Sequence, residues 1–202
     1  MLITNIEAVT KTKNHVFIDE VFAFTLSASE LLSYSLAVGQ SIPEDVYQDI
    51  KTNVVLKKAK LKAMQLLSVM SRTEKELGEK LRQNHYTQDI IDQAIAYVKS
   101  FGYVNDQEYI RHYILSREGT KSRKELYAGL YKKHLSKEMI EQGLLEHYGA
   151  GQEREAIRAL MCKRGFDPEC TDDKQRQKLF AYLARKGFQY DDIRSAVMSF
   201  TE

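Results

Sequence analysis

The 202-residue chain has only two prolines and ten glycines, too few breakers for long flexible linkers, and this scarcity predicts a mostly helical protein. Its two cysteines, Cys162 and Cys170, stand eight apart with no second pair; that argues against a zinc site and reads as a reduced intracellular chain. No apolar run approaches the ~20 residues a membrane span needs. The N-terminus MLITNIEAVTKTK lacks the basic start and apolar stretch of a secretory signal. The expected location is the cytoplasm.

Catalytic signatures are scarce too. There is no nucleotide-binding P-loop, no HExxH, no GxSxG and no CxxC. Gly149 and Gly151 form the one close glycine pair and read as a linker. His15, His85, His112, His134 and His147 show no metal-ligand spacing, and the acidic pairs Asp172-Asp173 and Asp191-Asp192 sit where helix starts are expected, favoured there by the helix dipole. The expectation is a non-enzyme without cofactor or metal.

Charge is plentiful but nearly balanced, thirty basic against 28 acidic side chains. The surplus lies late: residues 121–202 hold sixteen basic and thirteen acidic groups, residues 1–60 six and seven. Such a bias permits a polyanionic partner without establishing one.

The first 26 residues differ from the rest. ITNIEAV, a polar turn KTKN, HVFID and EVFAFTL are short β-branched and aromatic runs that predict a small antiparallel hairpin segment of two or three strands, with Asp19-Glu20 as a tight turn. Helices follow at once. Ser27 with Glu30 makes a capping-box pattern, with Gly39 as the stop; Ser41 with Glu44 repeats the signal, and the pattern stays helical to about Met70.

Beyond Met70 the chain repeats itself. SRTEKELGEKLRQNHYTQDIIDQAIAYV (71–98), TKSRKELYAGLYKKHLSKEMIEQGLLEH (120–147) and DKQRQKLFAYLARKGFQYDDIRSAVMSF (173–200) align without a gap. Leu77, Leu126 and Leu179 coincide, as do Leu81, Leu130 and Leu183, then Ile91, Ile140 and Ile193. Ala94, Gly143 and Ala196 are small at one shared position, followed by Ile95, Leu144 and Val197. Each window reads helix, turn, helix, with Thr87 and Ser136 as N-caps, and each is preceded by a further helix. The expected fold class is therefore mainly α: three tandem three-helix repeats forming an elongated curved array behind a small β segment. The expected boundaries are 1–43, 44–106, 107–149 and 150–202.

The segment KSRKELYAGLYKKH crowds five Lys or Arg and a histidine around one carboxylate, Glu125. Cations closing a helix have a purely structural reason, since they offset the dipole by roughly 0.3–1 kcal/mol. Matching positions suggest more. Arg72, Lys121 and Lys174 coincide, and Arg82, Lys132-Lys133 and Arg185-Lys186 all fall just before a turn. A repeat with cations at matching places lays a basic track along one face. Among the tyrosines, Tyr109 and Tyr113 read as a core stripe at i, i+4 spacing, Tyr127 and Tyr131 as surface residues beside the core leucines; aromatics among Lys and Arg can stack on exposed bases.

Taken together, ITNIEAV…VFIDEVFAFTLS, the three repeats, RTEKELGEKLRQNHYTQDIIDQAIAYV and its continuation SFGYVNDQEYIRHYI resemble the RecX family of bacterial regulators. The likeness runs over most of the chain and is most specific over 71–148. It departs at the first two turns, where the family carries glycine and this chain has Asn84-His85 and His134; Gly187 fits. The resemblance implies a partner, the RecA recombinase: such proteins lie in the groove of the RecA filament on single-stranded DNA, hinder its growth and lower its ATPase, strand-exchange and co-protease activities. On that reading Arg72, Lys121, Arg123, Lys124, Lys132, Lys133, Arg185 and Lys186 contact DNA or acidic RecA surface, and the chain acts as a monomer. The alternative is a helix-turn-helix transcriptional regulator, weakened by acidic residues where a base-reading helix needs Arg, Asn or Gln. A scaffold that binds no nucleic acid is the third reading.

Overall fold

The computed structural model describes residues 1–167 and 172–199. Cys170, one of the two cysteines, and Phe200, the end of the third window, lie outside the described residues, and Cys162 is a free, exposed thiol. Two compact units emerge, Met1–Asn105 and a second beginning at Asp106.

The first unit opens with strands β1 (Ile3–Thr10), β2 (Lys13–Ile18) and β3 (Val21–Leu26), joined as an antiparallel meander in the order β1-β2-β3. The β segment thus has three strands, one more than a hairpin. Asp19 and Glu20 both take left-handed backbone, φ 47° and 67°, which is the two-residue turn whose twist suits a hairpin. Alternation places Ile3, Val16, Ile18, Phe24 and Leu26 on one buried face, and that face is covered by helices, as so small a sheet requires.

Helix α1 (Ala28–Ser33) starts at the Ser27–Glu30 capping box expected from sequence. It ends earlier than expected: Tyr34 is its C-cap, Ser35 takes φ 51°, and Gly39 serves a later turn. The second capping signal is overturned. Ser41 pairs with Leu2 in an isolated β-bridge and the Ile42 N–H donates to the Met1 carbonyl at 2.9 Å. With Ser41 held in that bridge, Pro43 becomes the N-cap of α2 (Glu44–Asp49). The helix then runs on through π-helical turns, Ile50–Leu56, into α3 (Lys57–Val69). Ile50 and Val55, buried five residues apart, match the wider i→i+5 winding.

Helices α4 (Glu74–Gln83) and α5 (Gln88–Ser100) complete the first repeat. The second unit holds α6 (Asp106–Leu115), α7 (Arg123–Tyr131) and α8 (Lys137–His147), then α9 (Ala150–Lys163), α10 (Asp173–Lys186) and α11 (Tyr190–Met198). Each repeat has its own core. Leu77 and Leu81, Leu126 and Leu130, and Leu179 and Leu183 are buried, as are Ile91, Ile140 and Ile193; burial of each such side chain is worth about 1.5–3 kcal/mol.

Local sequence explains where these helices begin and stop. Thr73 and Ser122 cap α4 and α7 as reciprocal boxes with Glu76 and Glu125; in the third repeat the matching residues are Gln175 and Lys178, and α10 starts three residues earlier, where Asp172 caps it by accepting from the Gln175 N–H. At the shared turn position His85, His134 and Gly187 all adopt left-handed backbone, φ 64°, 61° and 94°. Glycine suits that geometry; the two histidines hold it at a cost of roughly 1–2 kcal/mol each. The chain keeps the turn without the residue that makes it easy.

Candidate interaction surface

The eight basic residues singled out from the sequence fall into distinct surroundings. Arg72 belongs to the first unit, half-buried one residue before the Thr73 cap, and its Nε is enclosed without a hydrogen-bond partner. The other seven lie in the second unit, where four, Lys121, Arg123, Lys124 and Lys186, meet around the start of α7.

Lys121 and Lys186 converge on Glu125. Their Nζ atoms lie 3.2 and 3.0 Å from its Oε1, and the Ser122 N–H donates to Oε2 at 3.3 Å. Partial burial works against the Glu125 carboxylate, but the bonds from Lys186, Lys121 and Ser122 outweigh it and hold the carboxyl below its ordinary range. Ser122, fully buried, closes the knot: its Oγ accepts from the Glu125 N–H at 3.1 Å and donates to the Lys186 carbonyl at 2.5 Å. Second and third repeats are thereby tied together at one capping box.

Arg123 is bonded on the other side. Its Nη1 donates to the Leu144 and Tyr148 carbonyls at 3.1 and 3.3 Å, satisfying the end of α8 as a basic side chain at a helix C-terminus does. The Arg123 N–H donates to Glu153 Oε2 at 3.3 Å, and the Tyr148 hydroxyl donates to the Lys121 carbonyl at 2.6 Å. Burial raises the Tyr148 phenol, with the Glu153 charge adding to it. Burial also raises the Glu153 carboxyl, with the Asp192 charge adding, against the opposing pull of the Arg123 N–H.

That last shift has a measurable sign. A carboxyl raised above its ordinary value of 4.5 stabilises the fold least once it is charged, so wild type loses stability as pH rises through the folded value. Glutamine at this position carries no such charge and keeps an oxygen for the Arg123 N–H. Thermal melts of Glu153→Gln are expected to coincide with wild type at acid pH and to lie higher at pH ~8. Equal melts at both ends of the range would show Glu153 to be solvated.

Lys124 is exposed and its stem lies across Gly187, so close that a Cβ there would sit 2.8 Å from the lysine Cβ and Cδ. Arg123, Lys124, Tyr127, Leu145, Glu153 and Asp192 are among the residues lining a groove of about 930 Å³ between the second and third repeats. Lys132, the C-cap of α7, and Arg185, in the last turn of α10, are exposed, and Lys133 is half-buried beside Lys132. The tyrosines follow the expected split except at Tyr127: Tyr109 and Tyr113 pack against the second core, with the Arg117 guanidinium 3.8 Å over Tyr113, and Tyr127, expected at the surface, packs against that core as well. Tyr131 is exposed and Tyr127 half-buried, their rings stacked 6.3 Å apart.

Sequence reasoning missed Ser122, Tyr148 and Glu153. For Ser122 the signal was in plain sight, because Thr73-x-x-Glu76 and Ser122-x-x-Glu125 occupy matching window positions. Glu153 carried a fainter one: it stands four residues before Ile157 on the apolar face of α9. Among the described residues, no three His, Cys, Asp or Glu side chains are grouped to hold a metal ion, and no helix is long and apolar enough to cross a membrane.

Comparison with known proteins gives this arrangement its relatives. Residues 59–97 match the profile of the RecX first three-helix domain, and residues 152–197 that of the RecX third three-helix domain. A regulatory protein RecX from Caldanaerobacter subterraneus subsp. tengcongensis is 32% identical over 98% of this chain and 98% of its own. One from Clostridium acetobutylicum is 29% identical over 95% and 92%, and one from Bacillus subtilis 26% identical over 93% and 74%. Among solved structures, a regulatory protein RecX superposes with TM-score 0.63 at 22% identity, covering 96% of this chain and 98% of that one. RecX from Lactobacillus salivarius gives TM-score 0.63 at 25% identity, over 72% and 96%.

Proposed function

The chain belongs to the RecX family, and from that premise we propose that it is a non-enzymatic regulator of the RecA recombinase. It binds in the groove of the RecA filament on single-stranded DNA, hinders filament growth and lowers the ATPase, strand-exchange and co-protease activities of RecA. The observation that carries this reading is kinship with regulatory RecX proteins along nearly the whole of both chains. Cation placement supports it. Lys124, Lys132 and Arg185 are exposed in the second unit, where a phosphate or carboxylate can reach them. Lys133 extends that set, while Arg72, Lys121, Arg123 and Lys186 contribute charge from positions that also serve the fold.

The helix-turn-helix alternative gains no support. The first turns of α5, α8 and α11 carry Asp89, Glu138 and Asp191-Asp192, which repel the phosphates that flank a major groove.

RecA's single-strand-dependent ATP hydrolysis tests the reading. Titrating this protein in at well below one copy per RecA is expected to lower the rate, because a blocked filament end silences many protomers; an unchanged rate with RecA from the same organism would overturn it. Lys132→Glu with Lys133→Glu is expected to weaken filament binding about tenfold while lowering stability only by the roughly 0.3–1 kcal/mol that each cation at a helix C-terminus supplies. If the pair contacts phosphates, the slope of log affinity against log salt falls by roughly one to two. Unchanged affinity would remove both lysines from the interface.

A further inference from the structure

The C-terminal end of α5 is finished in an unusual way. Phe101 is the C-cap, Gly102 takes left-handed backbone at φ +72°, the Gly102 N–H donates to the Lys99 carbonyl at 2.9 Å, and the Tyr103 N–H to Val98 at 3.1 Å. These are the two bonds of a Schellman motif, in which the residue after the glycine ordinarily packs back on the helix. Here Val104 is buried at 4% exposure, while Tyr103 stands 59% exposed beside Phe101 at 57%.

The two rings are 5.8 Å apart and 17° from parallel, and Phe101 in turn meets Tyr97 edge-on at 5.0 Å. Lys60 of α3 sits 4.5 Å from the Tyr97 ring centroid. The result is a ladder of cation and three rings, open at its outer end and held by a bonded turn. Its neighbour α3 carries Lys57, Lys58, Lys60 and Lys62 without a single carboxylate. Two large apolar rings left in water are a cost that folding alone does not explain, and the cationic helix beside them identifies what would cover them.

We infer that Tyr97, Phe101 and Tyr103, with Lys60, form a binding site for unpaired bases of single-stranded nucleic acid. Bases stack on the open faces of Phe101 and Tyr103, and the α3 lysines other than Lys58, whose ammonium is paired with Glu30, meet the phosphates that follow. Stacking on aromatic side chains tolerates any sequence, because every base presents a π face. The site shares no residue with the basic set assigned to the RecA filament, and it acts on nucleic acid directly.

The test uses the full chain without RecA, so its outcome stands apart from the RecA reading. Two labelled probes of equal length are compared, oligothymidine and an abasic strand that keeps the phosphates and lacks the bases. Wild type is expected to prefer oligothymidine. Phe101→Ala with Tyr103→Ala is expected to lose about 5- to 150-fold for each stacked base, with abasic affinity and thermal melt unchanged. Because the chain has no tryptophan, Phe101→Trp supplies a single reporter, expected to be quenched by oligothymidine and not by the abasic strand. Equal binding of the two probes by wild type, equal loss of both in the double variant, or unchanged oligothymidine affinity in the double variant would each overturn the site.

Discussion

Valine in place of Gly143 is expected to destabilise the second unit by about 3 kcal/mol, the upper range for overpacking a core. A Cβ at Gly143 would lie 2.3 Å from Ile110 Cγ2 and 3.5 Å from its Cβ, where carbon atoms need about 3.5–4.0 Å. Ile110 is 1% exposed and Ile114, also facing the site, is fully buried, so neither side chain can swing into water. The helices α6 and α8 must separate instead. Ala94 and Ala196 occupy the matching position in the other repeats and do carry a Cβ, so the need for glycine belongs to the second repeat alone. Gly78 makes the control: a Cβ there meets Ile95 Cδ1 at 3.4 Å, an ordinary contact, and Gly78→Ala is expected to be neutral or to gain up to about 1 kcal/mol of helix propensity. Urea titrations of the two variants decide it. Ile110→Ala combined with Gly143→Val should cost less than the sum of the single changes, since the first removes the atom the second strikes. Strict additivity would mean that the clash is relieved elsewhere.

The same position shows how far the sequence carries a reader. Aligning three windows was enough to find the buried leucines, the buried isoleucines and the small residue between them, because apolar spacing on a helix reports which face is inside. The capping box at Ser27 was equally legible, since it depends on residues three apart, and the same spacing at Thr73 and Ser122 went unread. What failed was the prediction at Ser41, where the local signal met a competing partner, Leu2, at the N-terminus. The π-helical turns were invisible for a related reason. Their apolar residues fit an α-helix almost as well, and the packing of β3 and α5 against them is not visible in a local pattern.

The candidate surface was half legible. Basic residues at matching positions are plain in the sequence, but their partners are not. Arg123 reaches carbonyls 21 and 25 residues away, and Lys186 reaches a carboxylate 61 residues away. Periodicity reports a charge and its helix face; it does not say whether an internal acceptor has taken the charge. Internal bonding separates the two sets, with Lys124, Lys132 and Arg185 facing solvent, Lys121 and Lys186 bonded within the unit, and Arg123 both exposed and bonded. The exposed rings at Phe101 and Tyr103 escaped for the opposite reason, as nothing in a one-dimensional pattern distinguishes an aromatic that packs from one that the end of a helix holds in water.

Alanine at Glu125 is expected to cost about 2–3 kcal/mol, the range for removing a charged hydrogen-bond partner from groups that water reaches only partly. The carboxylate accepts from Lys186, Lys121 and the Ser122 N–H, and its side chain and that of Lys186 are 25% and 23% exposed, so screening trims the effect without abolishing it. Its pH signature is distinct. A carboxyl held below its ordinary range stabilises the fold above the unfolded value of ~4.3, and that contribution is lost as pH falls through the lower folded value. Wild type should therefore lose its advantage over Glu125→Gln on acidification below pH ~5. A cycle of Glu125→Ala, Lys186→Ala and the double variant, followed in urea, should return a coupling of at least about 1 kcal/mol. That coupling also divides the basic residues by role. If it is present, Lys186→Ala weakens RecA regulation by loosening the joint between repeats, and the loss tracks stability; Lys132→Ala then changes affinity with stability untouched. Zero coupling would release Lys186 from the joint and return it to the surface proposed to bind the filament.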